Sequence, residues 1–146
     1  MYAYEIANYT GGIEVKVLLF GGTGMLGHIV KIVFEEAGHE VCAPSRDFYD
    51  VTMGIDALRE LVYSYFPDYI VNCVGILVKA SEENPDIARL VNSSFPHWLE
   101  EIMDPFHVIH ASTDCVFSGD LLYPLTYRET DVQDATGQYG AHRFYK

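Results

Sequence analysis

Basic residues are scarce in this chain. Nine lysines and arginines stand against 21 aspartates and glutamates, giving a formal net charge of −12 over 146 residues. A nucleic-acid surface needs clustered cations to displace counterions from phosphates. No such cluster occurs, so nucleic acid is not an expected partner. Cysteine is equally sparse: Cys42, Cys73 and Cys115 lie far apart with no Cys-x-x-Cys spacing, which argues against both a disulfide framework and a zinc ribbon. No apolar run approaches the roughly 18 residues that a membrane span requires, so no membrane partner is expected. Residues 1–15, MYAYEIANYTGGIEV, lack the basic start and continuous apolar core of a secretory signal. They read as a leader ahead of one domain over 16–146, and the expected location is cytoplasmic.

Apolar periodicity supplies the elements. KVLLF (16–20) reads as a buried strand, and Leu26, Ile29, Val30, Val33 and Ala37 mark a helix over 25–37 that Gly38 stops. HEVCAPS is a second short strand, and the polar RDFYDVT leads toward an edge strand. GIDALRELVYSYF places Ile55, Leu58, Leu61, Val62, Tyr65 and Phe66 on one helical face until Pro67 ends it. DYIVNCVG is a third strand, apolar enough to be buried on both faces. NPDIARLVNSSFPHWLEEIM predicts a helix kinked at Pro96, and FHVIHAST predicts the next strand. A loop rich in turn formers follows, and a last helix starts near Tyr139. Strands alternating with helices predict an α/β fold: a doubly wound parallel sheet of Rossmann type, cut short after its fifth strand.

Four glycines fall within seven positions, GGTGMLG (21–27), between the first strand and the first helix. They fit Gly-x-Gly-x-x-Gly through Gly22, Gly24 and Gly27, and Gly-x-x-Gly-x-x-Gly through Gly21, Gly24 and Gly27. In a strand–turn–helix setting this pattern is a dinucleotide fingerprint: a loop without side chains turns tightly, and helix N-terminal amides face a pyrophosphate. Gly21, Gly22, Thr23, Gly24, Met25, Leu26 and Gly27 are the candidate cradle. At the end of the second strand, where an acidic residue would hold a ribose 2′-hydroxyl, stand Ser45 and Arg46. A hydroxyl and a guanidinium suit a 2′-phosphate, so NADP is favoured, while Asp47 leaves NAD open. The six histidines include no pair at i, i+4, and no metal site is expected.

With GGTGMLG, DVT, PDYIVNCVG, LVNSSFPHWL, STDCVFSG and YGAHR occurring in that order, the chain resembles the extended short-chain dehydrogenase/reductase family, most closely its dTDP-4-dehydrorhamnose reductase branch. The resemblance covers about residues 16–143 and implies hydride transfer between a nicotinamide cofactor and a sugar-nucleotide carbonyl or alcohol. By that likeness Asp50 and Val51 line the adenine site, and Asn72, Cys73, Val74 and Gly75 pass near the ribose and nicotinamide. Thr113 takes the place of the Ser/Thr that hydrogen-bonds the substrate oxygen, and Tyr139 that of the acid/base tyrosine.

Arg143 stands where the family has lysine, four residues after that tyrosine. Arginine keeps the charge but is bulkier, forked and never deprotonated. The resemblance further implies a longer chain, in which the substrate-binding half lies outside these residues. Two functions are therefore carried forward: an NADP-preferring reductase of a 4-keto sugar nucleotide, or a truncated dinucleotide-binding remnant or interaction module without turnover. A sheet face left uncovered would leave self-association open in either case.

Overall fold

Lys16, Val17, Leu18, Leu19 and Phe20 form the central strand, and all but the lysine are buried. In the computed structural model, which describes residues 14–103, 107–120 and 126–141, this strand, β1 (Lys16–Phe20), is followed by α1 (Gly27–Glu36), β2 (Glu40–Cys42), α2 (Gly54–Tyr65) and β3 (Tyr69–Asn72). Next come α3 (Val78–Glu83), α4 (Pro85–Arg89), α5 (Phe95–Ile102), β4 (Val108–His110) and α6 (Gln138–Ala141). The strands pair in parallel in the order β2-β1-β3-β4. The chain leaves β1 toward one edge and β3 toward the other, which opens a switch point between the carboxyl ends of β1 and β3.

Alternation along the strands divides the core. Leu18, Phe20 and Ile70 point to one face, where Leu58, Leu61 and Val62 of α2 and Phe95 and Leu99 of α5 cover them. Val17, Leu19 and Val71 point to the other, against Val30 and Phe34 of α1. Phe95 is wholly buried and meets Phe20 edge-on at 5.1 Å, with Tyr49 beside it at 6.1 Å. The α1 face is less completely covered. Ile29 and Val33 are about half exposed, as is Ile109, the register partner of Val71.

Four sequence expectations are corrected. The edge strand after β2 is absent: Asp50 caps a 3-10 turn, Val51–Met53, by accepting the Thr52 amide, and the turn buries Val51 in the core, so the described sheet has four strands. Phe66 leaves the helical face and lies 79% exposed at φ 53°, because the following Pro67 disfavours helical backbone before it. The single helix predicted over 84–103 is divided, with a π turn at Leu90–Ser94 just upstream of Pro96. Proline has no N–H for the carbonyl of Asn92 four residues back, and its ring crowds that carbonyl, so the backbone widens there and Pro96 falls in the first turn of α5. The short α3 was not foreseen; its VKASEE has no apolar stripe, and its buried residue is Ser81.

Truncating the aromatic centre is expected to cost the most. Phe95→Ala should destabilise the fold by about 3–5 kcal/mol, read as a lowered urea midpoint with an unchanged slope.

Candidate functional site

The glycine loop lies between two neighbouring strand ends. A Cβ on Gly22 would come 2.7 Å from the Ala43 side chain just beyond β2, and one on Gly21 would come 3.0 Å from the Cys73 carbonyl carbon just beyond β3. The loop therefore occupies the switch-point crevice and touches both walls. Its tightest approach is at Gly27, where a Cβ would fall 2.1 Å from the Gly21 carbonyl oxygen. Only glycine lets the first turn of α1 close down on the end of β1. The Gly24 amide donates to the same carbonyl at 2.9 Å, while the amides of Thr23, Met25 and Leu26 bond no other described residue. Those donors stand at the N-terminus of a ten-residue helix, the arrangement in which backbone amides and helix dipole receive a phosphate.

On the β2 side, Ser45 and Arg46 are exposed. Arg46 uses its Nε in a salt bridge to Asp50, so the guanidinium is anchored at its inner end. Asp50 also accepts the Thr52 amide at 2.9 Å and the Thr52 hydroxyl. These hydrogen bonds, with Arg46 behind them, hold its carboxyl down at about 2.

On the β3 side, Asn72 is fully buried. Its Oδ1 accepts the Val74 amide at 2.9 Å, which leaves Nδ2 to donate to His110 Nδ1 at 3.0 Å. With Nδ1 accepting, the His110 ring carries its proton on Nε2. Asn72 thus fixes the loop Cys73–Gly75 and ties it to β4. Burial pushes the Cys73 thiol up, away from the thiolate.

A second buried amide was not singled out from the sequence. Asn92, in the π turn, accepts the Ile76 amide at Oδ1 and donates from Nδ2 to the Ile76 carbonyl, both at 2.9 Å. It clamps the continuation of the β3 loop to the helical layer. The available signal was an asparagine within the otherwise apolar LVN segment, four residues before a proline.

Thr113 follows β4 in extended conformation, and its Oγ1 accepts the Cys115 amide at 3.2 Å, capping a 3-10 turn at Asp114–Val116. Tyr139 is half-buried on α6. The helix seats against the Thr113 turn through Gly140, where a Cβ would lie 2.1 Å from the Cys115 carbonyl oxygen. Thr113 and Tyr139 are thereby held on adjoining segments, and the glycine of the YG pair is explained by that contact. Arg143 lies outside the described residues, as does most of the 1–15 leader.

Comparison with known proteins follows the same lines. A family model described as the RmlD substrate binding domain matches residues 15–145. The dTDP-4-dehydrorhamnose reductase of Bacillus anthracis str. Ames, solved in complex with NADP, superposes with a TM-score of 0.80 at 22% identity, over 90% of this chain and 47% of that one. A dTDP-4-dehydrorhamnose reductase from Clostridium acetobutylicum gives 0.78 at 26% identity, over 88% and 46%. A Thermus thermophilus UDP-glucose 4-epimerase complexed with NAD gives 0.72 at 22% identity, over 88% and 47%. The chain spans about half the length of these proteins. A search of curated protein sequences returned no match. Among the described residues, no helix is long and apolar enough to cross a membrane.

Two outcomes test this geometry. Gly27→Ala should lift α1 off β1, lowering the melting temperature and weakening NADPH binding by about tenfold or more, measured by nicotinamide fluorescence. The depressed Asp50 carboxyl should stabilise the fold above its unfolded value of about 4, and that contribution should vanish as pH falls toward 2. Urea midpoints of the wild type and Asp50→Asn should accordingly differ at pH 6 and converge in acid.

Proposed function

We propose that this chain, which belongs to the RmlD substrate-binding-domain family, binds NADPH in the β1/β3 crevice and uses it to reduce a 4-keto sugar nucleotide. The observation that carries this reading is the Cβ-free approach of Gly27 to the Gly21 carbonyl, which sets unpartnered amides at the mouth of the crevice. Residues 21–27 would receive the pyrophosphate. Asp50 and Val51 would border the adenine, although the Val51 side chain turns into the core. Arg46, held at Nε, would offer its two outer nitrogens to a 2′-phosphate, and Ser45 would add a hydroxyl beside it. The fixed loop Asn72–Gly75 would form the opposite wall, against ribose and nicotinamide. NADP is bound in the solved dTDP-4-dehydrorhamnose reductase of Bacillus anthracis and NAD in the Thermus thermophilus epimerase, which supports a nicotinamide dinucleotide here.

When bound, the reduced nicotinamide supplies a hydride. The chain's task is then to hold the substrate carbonyl and protonate its oxygen as negative charge develops there. Thr113 Oγ1 would donate a hydrogen bond to that oxygen, and the Tyr139 phenol would give the proton, to be replaced from water. A cation beside the phenol would lower its proton affinity; in this sequence the residue four positions on is Arg143. We read residues 16–146 as the cofactor-binding half of the fold, in a chain that works in the cytoplasm. Association between copies would cover apolar side chains left half exposed, among them Ile29, Val33 and Ile109.

Arg143 also supports a second reading, in which the chain binds a dinucleotide without turning it over. NADPH titration should saturate under both readings, and an absence of binding would overturn both. Turnover separates them. Oxidation of NADPH with a dTDP-4-keto sugar, lost by roughly 100-fold or more in Tyr139→Phe while NADPH binding persists, supports the reductase. No oxidation by the wild type, and none restored by Arg143→Lys, supports the binding module.

A further inference from the structure

Seven of the nine lysines and arginines fall among the described residues. Lys16, Lys31, Arg46, Arg59, Lys79 and Arg89 each form a salt bridge. Arg128 does not: among the described residues its guanidinium has no ion pair and no hydrogen bond. In a chain with a net charge of −12, carboxylates are everywhere available, so an unpaired guanidinium is the exception that calls for an account.

Arg128 lines an open cavity of about 940 Å3 beyond β4, and Thr113 lines the same cavity. Its volume is in the range of small-molecule sites, and none of its lining residues belongs to the glycine crevice. The segment carrying Arg128 is pinned on both sides. Tyr127 stacks on Phe117 with ring centroids 4.5 Å apart, and its hydroxyl bonds Ser118 Oγ at 3.0 Å and accepts the Asp120 amide at 3.1 Å. The Arg128 amide donates to Asp131 Oδ2 at 2.8 Å. The fixed backbone presents an exposed, uncommitted guanidinium to the cavity, where a planar fork of donors can receive an anion.

We propose that Arg128 anchors the diphosphate of the sugar-nucleotide substrate, placing the sugar toward Thr113. This rests on the reductase reading above and adds the residue that would recognise the substrate's charge. The planar guanidinium can bond two phosphate oxygens at once. Asp114 and Glu129 also line the cavity; carboxylates repel phosphate and accept hydrogen bonds from sugar hydroxyls. Arg128 is the one cation among the described residues that line the cavity, so the diphosphate falls to it and the carboxylates suit the sugar.

The test is calorimetric titration of the 146-residue chain with dTDP-glucose, inorganic phosphate and NADPH, repeated on Arg128→Gln and Arg128→Lys. The expected result is dTDP-glucose affinity reduced about tenfold or more in Arg128→Gln and less in Arg128→Lys, with NADPH affinity unchanged in both. Equal dTDP-glucose binding by wild type and Arg128→Gln, or no binding by the wild type, overturns the assignment. So does inorganic phosphate binding as tightly as dTDP-glucose, which would make this a general anion site. Loss of NADPH affinity in Arg128→Gln also overturns it, since the two sites would then not be separate. A wild type that binds dTDP-glucose through Arg128 but does not bind NADPH would leave this assignment standing and remove the reductase reading.

Discussion

The contact on which the site depends is the closure of α1 onto the Gly21 carbonyl. A Cβ at Gly27 would stand 2.1 Å from that oxygen, a separation no side chain survives. Its absence lets a ten-residue helix begin directly over the end of the central strand, with its first-turn amides gathered at the point where the sheet's connections diverge. The loop then meets Ala43 on one side and Cys73 on the other. The anion site proposed there is compatible with a strongly acidic chain, because its field would come from oriented dipoles at short range, not from net charge.

Around that contact, buried amide side chains take over the positioning where the pairing of β3 ends. Asn72 and Asn92 have no solvent exposure, and each bonds the backbone between Val74 and Ile76. A buried amide left unbonded is costly, so both asparagines are committed to one backbone conformation. The segment after β3, the wall proposed for ribose and nicotinamide, is thus held in one conformation. Beyond β4 the means differ: Thr113 caps its own turn, and Gly140 lets α6 press against it.

Much of this was legible in the sequence because it is local. KVLLF, IVN and the glycine spacing declare a buried strand, its neighbour and the turn between strand and helix within a few residues of one another. What escaped depends on partners distant in sequence or on competition between local preferences. Asp50 could start a turn or sit ahead of a strand, and burial of Val51 in the core, where its turn meets α2 and the π turn, decided for the turn. Phe66 fits the apolar face of α2, yet Pro67 dictates its backbone. The π turn arises from Pro96 acting four residues back along the helix. The clamp by Asn92 joins positions 16 residues apart, and that Arg128 has no ion pair among the described residues is visible only once their six other cations have found carboxylates.

The central claim concerns main-chain donors, so the direct measurement is of those donors. Amide spectra of the isotope-labelled chain should be followed during addition of NADPH. The account predicts that the largest shifts fall on the amides of Gly22 through Gly27, with a second group at Cys73 to Gly75. Shifts confined to other parts of the chain, or none at saturating NADPH, would contradict it.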